Sequence, residues 1–191
     1  MKLAMATDVA TKSELIHLLD EAVKEQEMKG CCYAVKDALE HVVHSGKDFL
    51  GDEFLEPARD KYARRLVYLD PQGRYSVLAM VWDSGQGTAL HDHAGMWCVE
   101  CVYRGKILVT SYSHDKEEGG RHWFTQQEQI VAGVGEAGAL IPPFDHHTIQ
   151  NTFDEPAVTI HVYGGEMTWA DCFLPEDGHY VKVRRDLCYT D

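Results

Sequence analysis

The sequence predicts an all-β core, an antiparallel sandwich or barrel, preceded by a pair of helices. Two observations support this prediction. Apolar residues recur at helical spacing through roughly the first fifty residues, whereas from about Val67 the chain breaks into short β-rich runs separated by turn residues. Strands that follow one another this closely, without helices between them, are typical of antiparallel sheets that pack or close on themselves.

The amino-terminal segment, residues 1–56, is expected to form two helices that pack on the barrel. Thr11 and Glu14 have the spacing of a capping box, which predicts Thr11 as the N-cap of the first helix. Gly30 is the expected end of that helix. A second apolar pattern predicts another helix that ends near Gly46.

Residues 57–191 are expected to form the barrel and to make one structural domain with the helices. Turn residues, such as the Pro-Gln-Gly that follows Asp70, separate the β-rich runs. The last twenty residues stay unassigned. The predicted strands are RLVYLD, YSVLAMVW, MWCVECVY, KILVTSYSH, QIVAGVGEAGALIPP, HTIQNTF and AVTIHVYGG.

Composition and charge exclude several classes of function. The 191-residue chain has a formal net charge of −13, and so acidic a surface repels nucleic acids and anionic membranes. We find no apolar run long enough to cross a bilayer and no convincing signal peptide. The six cysteines lack zinc-ribbon or secreted-framework spacing, which favours free thiols in a reducing cytoplasm. We expect a cytoplasmic monomer without nucleic-acid or membrane partners.

The strongest local signal is the histidine pair His91 and His93. Residues i and i+2 of a strand point to the same face, so both imidazoles are expected to project into one cavity if this segment is a strand. Two imidazoles on one face suit a divalent transition metal. Surface histidines also fall two apart by chance, so the pair alone leaves a metal site and a surface pair both open.

The segment around this pair resembles the first motif of the cupin superfamily, G-x5-H-x-H-x4-E-x6-G. Gly85, His91, His93 and Gly105 are in register, and Cys98 stands where the motif has glutamate. A cupin metal site ordinarily has three histidines and one carboxylate, so loss of the carboxylate would leave three neutral ligands on a divalent metal. Such a site favours an anionic, soft ligand from the substrate, namely a thiolate.

A second segment, some fifty residues further on, resembles the second cupin motif, P-x-G-x2-H-x3-N. Pro142, His147 and Asn151 are in register, with Phe144 in place of the glycine. This register selects His147 over the adjacent His146. The two motifs in this order imply a cupin barrel, the double-stranded β-helix or jelly roll.

The segment HDHAGMWC is similar to the metal loop of the cysteine dioxygenases, in which a cysteine follows the first ligand by seven residues, as Cys98 does here. The segment TIHVY resembles the Ser-x-His-x-Tyr relay of that family, with Thr159 in place of serine. Alternation along a strand puts Thr159, His161 and Tyr163 on one face. In that family the tyrosine and the cysteine are joined by a thioether beside an iron ion, so the resemblance implies such a link between Tyr163 and Cys98.

The segment YAR matches the Tyr-x-Arg of the same family, whose arginine binds the substrate carboxylate. The resemblance therefore assigns substrate binding to Arg64 with Tyr62. Arg64 lies in the charged stretch RDKYARR beside Arg65, so a solvated surface arginine is the competing interpretation.

Structural alternatives exist for the other residues as well. Cys98 and Tyr163 could be packed core residues, and His161 could be a structural histidine. Glu100 follows the cysteine by two residues and could share its strand face, which makes it a candidate fourth ligand. The histidines interpreted as surface residues are His114, His122 and His179.

The resemblance covers roughly residues 60–165 and implies a non-haem iron enzyme. His91, His93 and His147 would hold Fe(2+), and L-cysteine would be oxidised by O₂ to cysteine sulfinic acid. Arginine rather than glutamine at position 64 favours cysteine by family analogy. Two alternatives stay open: a dioxygenase for another mercapto acid such as 3-mercaptopropionate, and a non-catalytic cupin that senses a small acid or a metal.

Overall fold

The computed structural model describes residues 2–191, with side chains described from residue 11 onward. The side chains of residues 1–10, on which the signal-peptide interpretation depends, lie outside the described part. The helices are α1 (Lys2–Ala22) and α2 (Met28–His44), followed by a 3₁₀ turn at Asp52–Phe54. The strands are β1 (Ala63–Leu69), β2 (Ser76–Trp82), β3 (Leu90–His91), β4 (Cys98–Arg104), β5 (Lys106–Glu118), β6 (Arg121–Gly133), β7 (Ala137–Leu140), β8 (His147–Gln150), β9 (Ala157–Tyr163), β10 (Trp169–Glu176) and β11 (His179–Asp186).

The first helix begins earlier than its capping signal predicts. Helix α1 starts at Lys2, so Thr11 lies inside the helix and the prediction that it is the N-cap is wrong. The residues before Thr11 include Lys, Leu, Met and Ala, which favour helix strongly, and a capping box does not stop a helix that can continue through it.

The boundary between the two helices also differs from the expectation. Helix α1 ends at Ala22, and Gly30 lies inside α2 rather than at the end of α1. The start of α2 is stabilised by Glu27, whose carboxylate accepts hydrogen bonds from two backbone N–H groups of the first turn. The predicted end of the second helix is right, because α2 stops at His44 just before Gly46.

The strands form two antiparallel sheets. One has the order β1-β2-β9-β4-β7, and the other, β10-β11-β6-β5-β8-β3, closes on itself through the pairing of β3 with β10. The predicted cupin-type β core with a helical pair at its amino end is confirmed. The residues left unassigned from the sequence form β10 and β11, which extend the second sheet.

Strand alternation decides which side chains reach the barrel interior. In β9, Val158, Ile160 and Val162 pack against the helices in one apolar core, so Thr159, His161 and Tyr163 point the other way. Strand β4 alternates in the same manner. Its residues Val99, Cys101 and Tyr103 join the core under the helices, and Cys98, Glu100 and Val102 face inward.

The two histidine motifs meet because β3 pairs with β8. The Cα atoms of His91 and His147 lie opposite each other in this register. Asn151 of the second motif ties the region together, since its side-chain amide donates to the Trp82 carbonyl at 2.9 Å. Gly105 of the first motif has a φ of +76°, and a Cβ there would lie 2.9 Å from a backbone oxygen of Pro156, so this turn requires glycine.

All six cysteines are free, and four of them are buried. Within the described residues, no helix is both long enough and apolar enough to cross a membrane.

Candidate metal centre

Three histidine side chains converge inside one end of the barrel. One ring nitrogen from each of His91, His93 and His147 lies within 4.8 Å of the others. His91 ends β3 and His93 lies in the loop that follows, so the two do not share a strand face, although both line the same cavity. The orientation of His93 comes instead from Asp145, whose Oδ2 accepts from the backbone N–H of His93 at 3.1 Å and lies 3.1 Å from its Nδ1.

Hydrogen bonds at Nδ1 orient two of the three rings. His91 Nδ1 lies 3.0 Å from the carbonyl oxygen of Ala89, and His93 Nδ1 is held by Asp145. A carbonyl can only accept, so we assign the proton of His91 to Nδ1. The Nε2 atom of that ring then carries its lone pair, which is the form that binds a metal.

The third ring, His147, is 1% exposed, and neither of its nitrogens has a hydrogen-bond partner among the described residues. Burial lowers the pKa of His147, and it lowers the pKa of His91 to about 3, so both imidazoles are neutral at pH 7. A buried polar ring without a partner is costly unless something else satisfies it. Converging neutral imidazoles fit a divalent transition metal.

A cavity of about 270 Å³ opens over the three histidines. Its wall combines apolar and aromatic side chains with the histidines and with four charged side chains, Lys61, Arg64, Arg185 and Asp186. The side chains that line it include Tyr62, Arg64, Met80, Trp82, His161, Tyr163, Met167 and Leu187.

Arg64 is only 4% exposed and lines this cavity. Its Nη2 donates to the carbonyl oxygen of Met167 at 2.6 Å, and its Nε has no partner within the described part of the chain. The neighbouring Arg65 is outside the cavity and donates to the backbone oxygen of Glu56. Tyr62 also lines the cavity, next to Arg64.

A chain of hydrogen bonds connects β2 to Tyr163. The indole N–H of Trp82 donates to Thr159 Oγ1 at 2.8 Å, and Thr159 Oγ1 lies 2.8 Å from His161 Nε2. With Thr159 accepting from Trp82, its own proton can go to Nε2, so we assign the His161 proton to Nδ1. Because Nδ1 lies 3.3 Å from the Tyr163 hydroxyl, the phenol oxygen accepts there, and its O–H donates to the sulfur of Met80, a weak acceptor, at 3.9 Å.

Cys98 and Tyr163 face each other across the β4–β9 ladder, where their Cα atoms are partners. Both side chains are buried and belong to one apolar cluster. Burial raises the pKa of both groups well above their ordinary values, so the thiol and the phenol are protonated at neutral pH. The Cys98 sulfur lies 4.0 Å from His161 Nδ1.

Glu100 reaches the interior as its strand register implies. It is 8% exposed, with Oε1 3.7 Å from His147 Nδ1 and Oε2 3.6 Å from His161 Nδ1. Burial raises the pKa of Glu100 to about 8. Its carboxylate is outside the group of ligand atoms that lie within 4.8 Å of one another, so the geometry puts it behind His147 rather than among the metal ligands.

The remaining histidines lie away from the centre. His146 points to the opposite side from His147, with its ring 5.7 Å from that of His114 and 5.1 Å from that of Phe124. The expectation that His122 is a surface residue is wrong, since it is 3% exposed and its Nδ1 lies 3.1 Å from His114 Nε2. Aromatic packing around β6 and β10 encloses it. His114 is exposed and His179 is half-buried.

Two residues with clear roles in this geometry escaped the sequence analysis. Asp145, which orients His93, lies two residues before His147, and an acid next to a ligand motif is a signal that could have suggested it. Trp82 starts the relay, but nothing in its local sequence distinguishes it from any strand tryptophan.

A family model for cysteine dioxygenase type I matches residues 53–172, which is more than half of the chain. The chain belongs to this family. The three converging histidines, the relay and the Tyr-x-Arg pair all fall within the matched residues.

The family members it resembles are distant. Cysteine dioxygenase type 1 of Homo sapiens is 23% identical over 124 residues, which cover 64% of this chain and 60% of that protein. The Danio rerio protein is 24% identical over 156 residues, covering 78% of this chain and 73% of its own length. The chain thus spans about 60% of the human relative. Among solved structures, the protein TT1209 from Thermus thermophilus has a TM-score of 0.48 at 19% identity, covering 61% of this chain and 96% of that one.

Proposed function

We propose that this chain is a non-haem iron thiol dioxygenase that oxidises L-cysteine with O₂ to cysteine sulfinic acid. The observation that supports it most is the combination, in one cavity, of three converging histidines with a buried arginine. Membership of the cysteine dioxygenase type I family supports the same proposal. The reaction adds both oxygen atoms to sulfur, so R–SH and O₂ give R–SO₂H with no other reactant.

In this proposal His91, His93 and His147 hold Fe(2+). Three neutral nitrogen donors leave the charge of the ion uncompensated, which favours an anionic ligand such as a thiolate. The iron, when bound, supplies the redox chemistry that joins the thiol to O₂, while the protein positions the reactants. The partnerless nitrogens of buried His147 support a metal at this position.

Arg64 and Tyr62 are the proposed binding groups for the substrate carboxylate. A guanidinium offers five N–H donors, and the Nε of Arg64 is not engaged by any described residue. A planar guanidinium suits bidentate recognition of a carboxylate. Tyr62 stacks on Trp82 with ring centroids 4.5 Å apart, which holds its ring at the cavity wall.

Tyr163 and His161 are the proposed catalytic pair at the other side of the cavity. With its proton on Nδ1, His161 donates to the phenol oxygen of Tyr163. The Tyr163 hydroxyl can then donate a hydrogen bond to the reacting groups. We propose that Cys98 and Tyr163 become joined by a thioether, which would restrict the ring.

We further propose that the protein is a cytoplasmic monomer. Its free thiols suit a reducing compartment.

The proposal is tested by metal analysis of the purified protein followed by oxygen uptake with cysteine, 3-mercaptopropionate and cysteamine. We expect bound iron, cysteine-dependent uptake and a sulfinic acid product identified by mass spectrometry. Faster turnover of 3-mercaptopropionate would reassign the substrate. Iron binding with no uptake on any thiol would contradict the proposed chemistry and favour a non-catalytic sensor.

A further inference from the structure

The three proposed metal ligands differ in how their Nδ1 atoms are held. His91 has the carbonyl oxygen of Ala89 at 3.0 Å, and His93 has the carboxylate of Asp145 at 3.1 Å. Both are acceptors, and each keeps a proton on Nδ1, which leaves the lone pair on Nε2. His147 has no hydrogen-bond partner within the described residues, so it lacks the device that orients the other two rings.

Glu100 lies where such an acceptor is needed. Its Oε1 is 3.7 Å from His147 Nδ1, slightly longer than a hydrogen bond. The carboxylate is 8% exposed, and its Oε2 has no hydrogen-bond partner among the described residues either. A buried ring nitrogen without a partner is costly, and a small rotation of either side chain would bring Oε1 within hydrogen-bond distance of His147 Nδ1.

We propose that Glu100 is the positioning residue for the metal ligand His147. Its carboxyl oxygen accepts a hydrogen bond from His147 Nδ1–H, which leaves the Nε2 lone pair for the metal. The carbonyl of Ala89 and the carboxylate of Asp145 do the same for the other two ligands. A protonated carboxyl group still offers its carbonyl oxygen, so the role does not depend on its charge. The inference rests on the proposed metal site but not on the thiol chemistry.

A role of Glu100 as a direct fourth ligand fits the geometry less well. Its oxygens do not join the set of ligand atoms that lie within 4.8 Å of one another. They lie instead 3.7 Å from the Nδ1 atom of His147 and 3.6 Å from that of His161. Groups that hold the outer nitrogen of a ligating histidine typically change metal affinity by about 10–100-fold when they are removed.

Two substitutions separate a positioning role from other roles. Glu100→Met removes the acceptor but keeps the length of the side chain, whereas Glu100→Gln keeps one acceptor oxygen. Glu136→Met is the matched control. Glu136 and Glu100 both line a second cavity, distinct from the one over the histidines, but Glu136 is exposed and accepts from the backbone N–H of Gly133. The readouts are Fe(2+) affinity by anaerobic chelator competition and the urea unfolding of each metal-free variant.

We expect Glu100→Met to bind Fe(2+) about 10–100-fold more weakly than the parent protein. Glu100→Gln should keep most of the affinity, and Glu136→Met all of it. Metal-free Glu100→Met should also unfold at a lower urea concentration than the parent, because His147 Nδ1–H is left buried without an acceptor, whereas Glu100→Gln keeps one.

Equal affinity of Glu100→Met and the parent protein would overturn the inference. So would an equal loss in Glu100→Gln and Glu100→Met, because the residue would then act through its charge or as a ligand. Failure of the parent protein to consume O₂ with thiols would overturn the proposed function, while the affinity comparison would still decide the role of Glu100.

Discussion

At the scale of single residues, His146 and His147 are neighbours in the chain but have different surroundings. His147 lies with His91 and His93, whereas the ring of His146 packs among the rings of His114 and Phe124. We expect His147→Ala to lose most of the bound iron and His146→Ala to keep it. Metal content per chain, measured after identical purification, checks this, and the reverse result would contradict the register of the second motif.

Arg64 and Arg65 form a second adjacent pair with separate environments, one in the cavity and one outside it. Loss of a charge-assisted hydrogen bond costs about 1.5–3 kcal/mol, or about one to two decades in affinity. We expect Arg64→Gln to weaken the use of cysteine by this amount while iron content stays unchanged. Oxygen uptake with cysteine and with cysteamine, which lacks a carboxylate, measures the effect.

Arg65→Gln is the matched control for that substitution and should leave the rates of oxygen uptake with both thiols unchanged. If Arg64→Gln changed the kinetics of cysteine and cysteamine equally, Arg64 would not be the group that recognises the carboxylate.

Cys98 and Tyr163 are partners across β4 and β9, and Tyr163 lines the cavity. We expect a thioether between them in part of the protein after turnover, because a thiol and a phenol beside the proposed iron site could be oxidised together by O₂. The linked form would be lighter by two hydrogen atoms and would survive reduction. Intact mass and tryptic peptide mapping detect it.

Cys98→Ser should abolish the linked peptide and slow the enzyme without inactivating it, since the link mainly restricts the Tyr163 ring. Cys101→Ser is the control, because Cys101 faces the helices and belongs to the core on the other side of the sheet. Recovery of both parent peptides only in free form would show that the enzyme works without the crosslink.

At the scale of elements, the segment after β11 completes the cavity. Leu187 lines it, and the backbone N–H of Thr190 donates to the Arg64 carbonyl at 2.7 Å. The Arg64 guanidinium lies 5.0 Å from the centre of the Tyr189 ring, and Tyr189 in turn donates to Glu166 at 2.9 Å. The family match ends at residue 172, so this support for Arg64 comes from residues beyond it.

We expect Tyr189→Ala to raise the KM for cysteine several-fold with little change in kcat, because a cation–π contact at a partly exposed site contributes about 0.5–1 kcal/mol. Tyr189→Phe keeps the ring and should behave nearly as the parent does. Steady-state kinetics at fixed iron content make the comparison. A fall in kcat alone would mean that the segment does not act through Arg64.

Several elements could be derived from the sequence and others could not. The spacing of apolar residues identified α2 and most of the strands that carry the site, because alternation and helical periodicity are local properties. The ends of α1 were wrong, since the capping signal at Thr11 competes with strong helix formers before it. Strands β10 and β11 were not identified, because their partly exposed, half-polar sequences have a weak alternating pattern.

At the scale of the whole molecule, the helices cover the outer face of the five-stranded sheet in one continuous core. Leu39 of α2 is fully buried there. We expect Leu39→Ala to lower the free energy of unfolding by about 2–5 kcal/mol, and Tyr33→Ala, at a half-exposed position of the same helix, to change it little. Urea denaturation measures both.

The same experiment tests the proposal that residues 1–56 and 57–191 form one structural domain. All four tryptophans lie after residue 57, so fluorescence reports on the barrel, whereas far-ultraviolet circular dichroism at the helical band reports mainly on α1 and α2. One domain should give coincident transitions that shift together in Leu39→Ala. A helical transition that precedes the fluorescence transition would show two separately folding units.

The sequence alone determined the features that depend on spacing along the chain. The i, i+2 rule put Thr159, His161 and Tyr163 on one face, and the two cupin-like motifs indicated the barrel and the family. These inferences succeed because strand alternation and motif register are set by the local backbone.

The tertiary structure alone decided which distant residues support the site. Asp145 reaches His93 across fifty-two positions, Trp82 reaches Thr159 across seventy-seven, and Tyr189 reaches Arg64 from the far end of the chain. Such contacts depend on which strands pair and in which register. That choice comes from the burial of the whole core, and no short segment of the chain contains it.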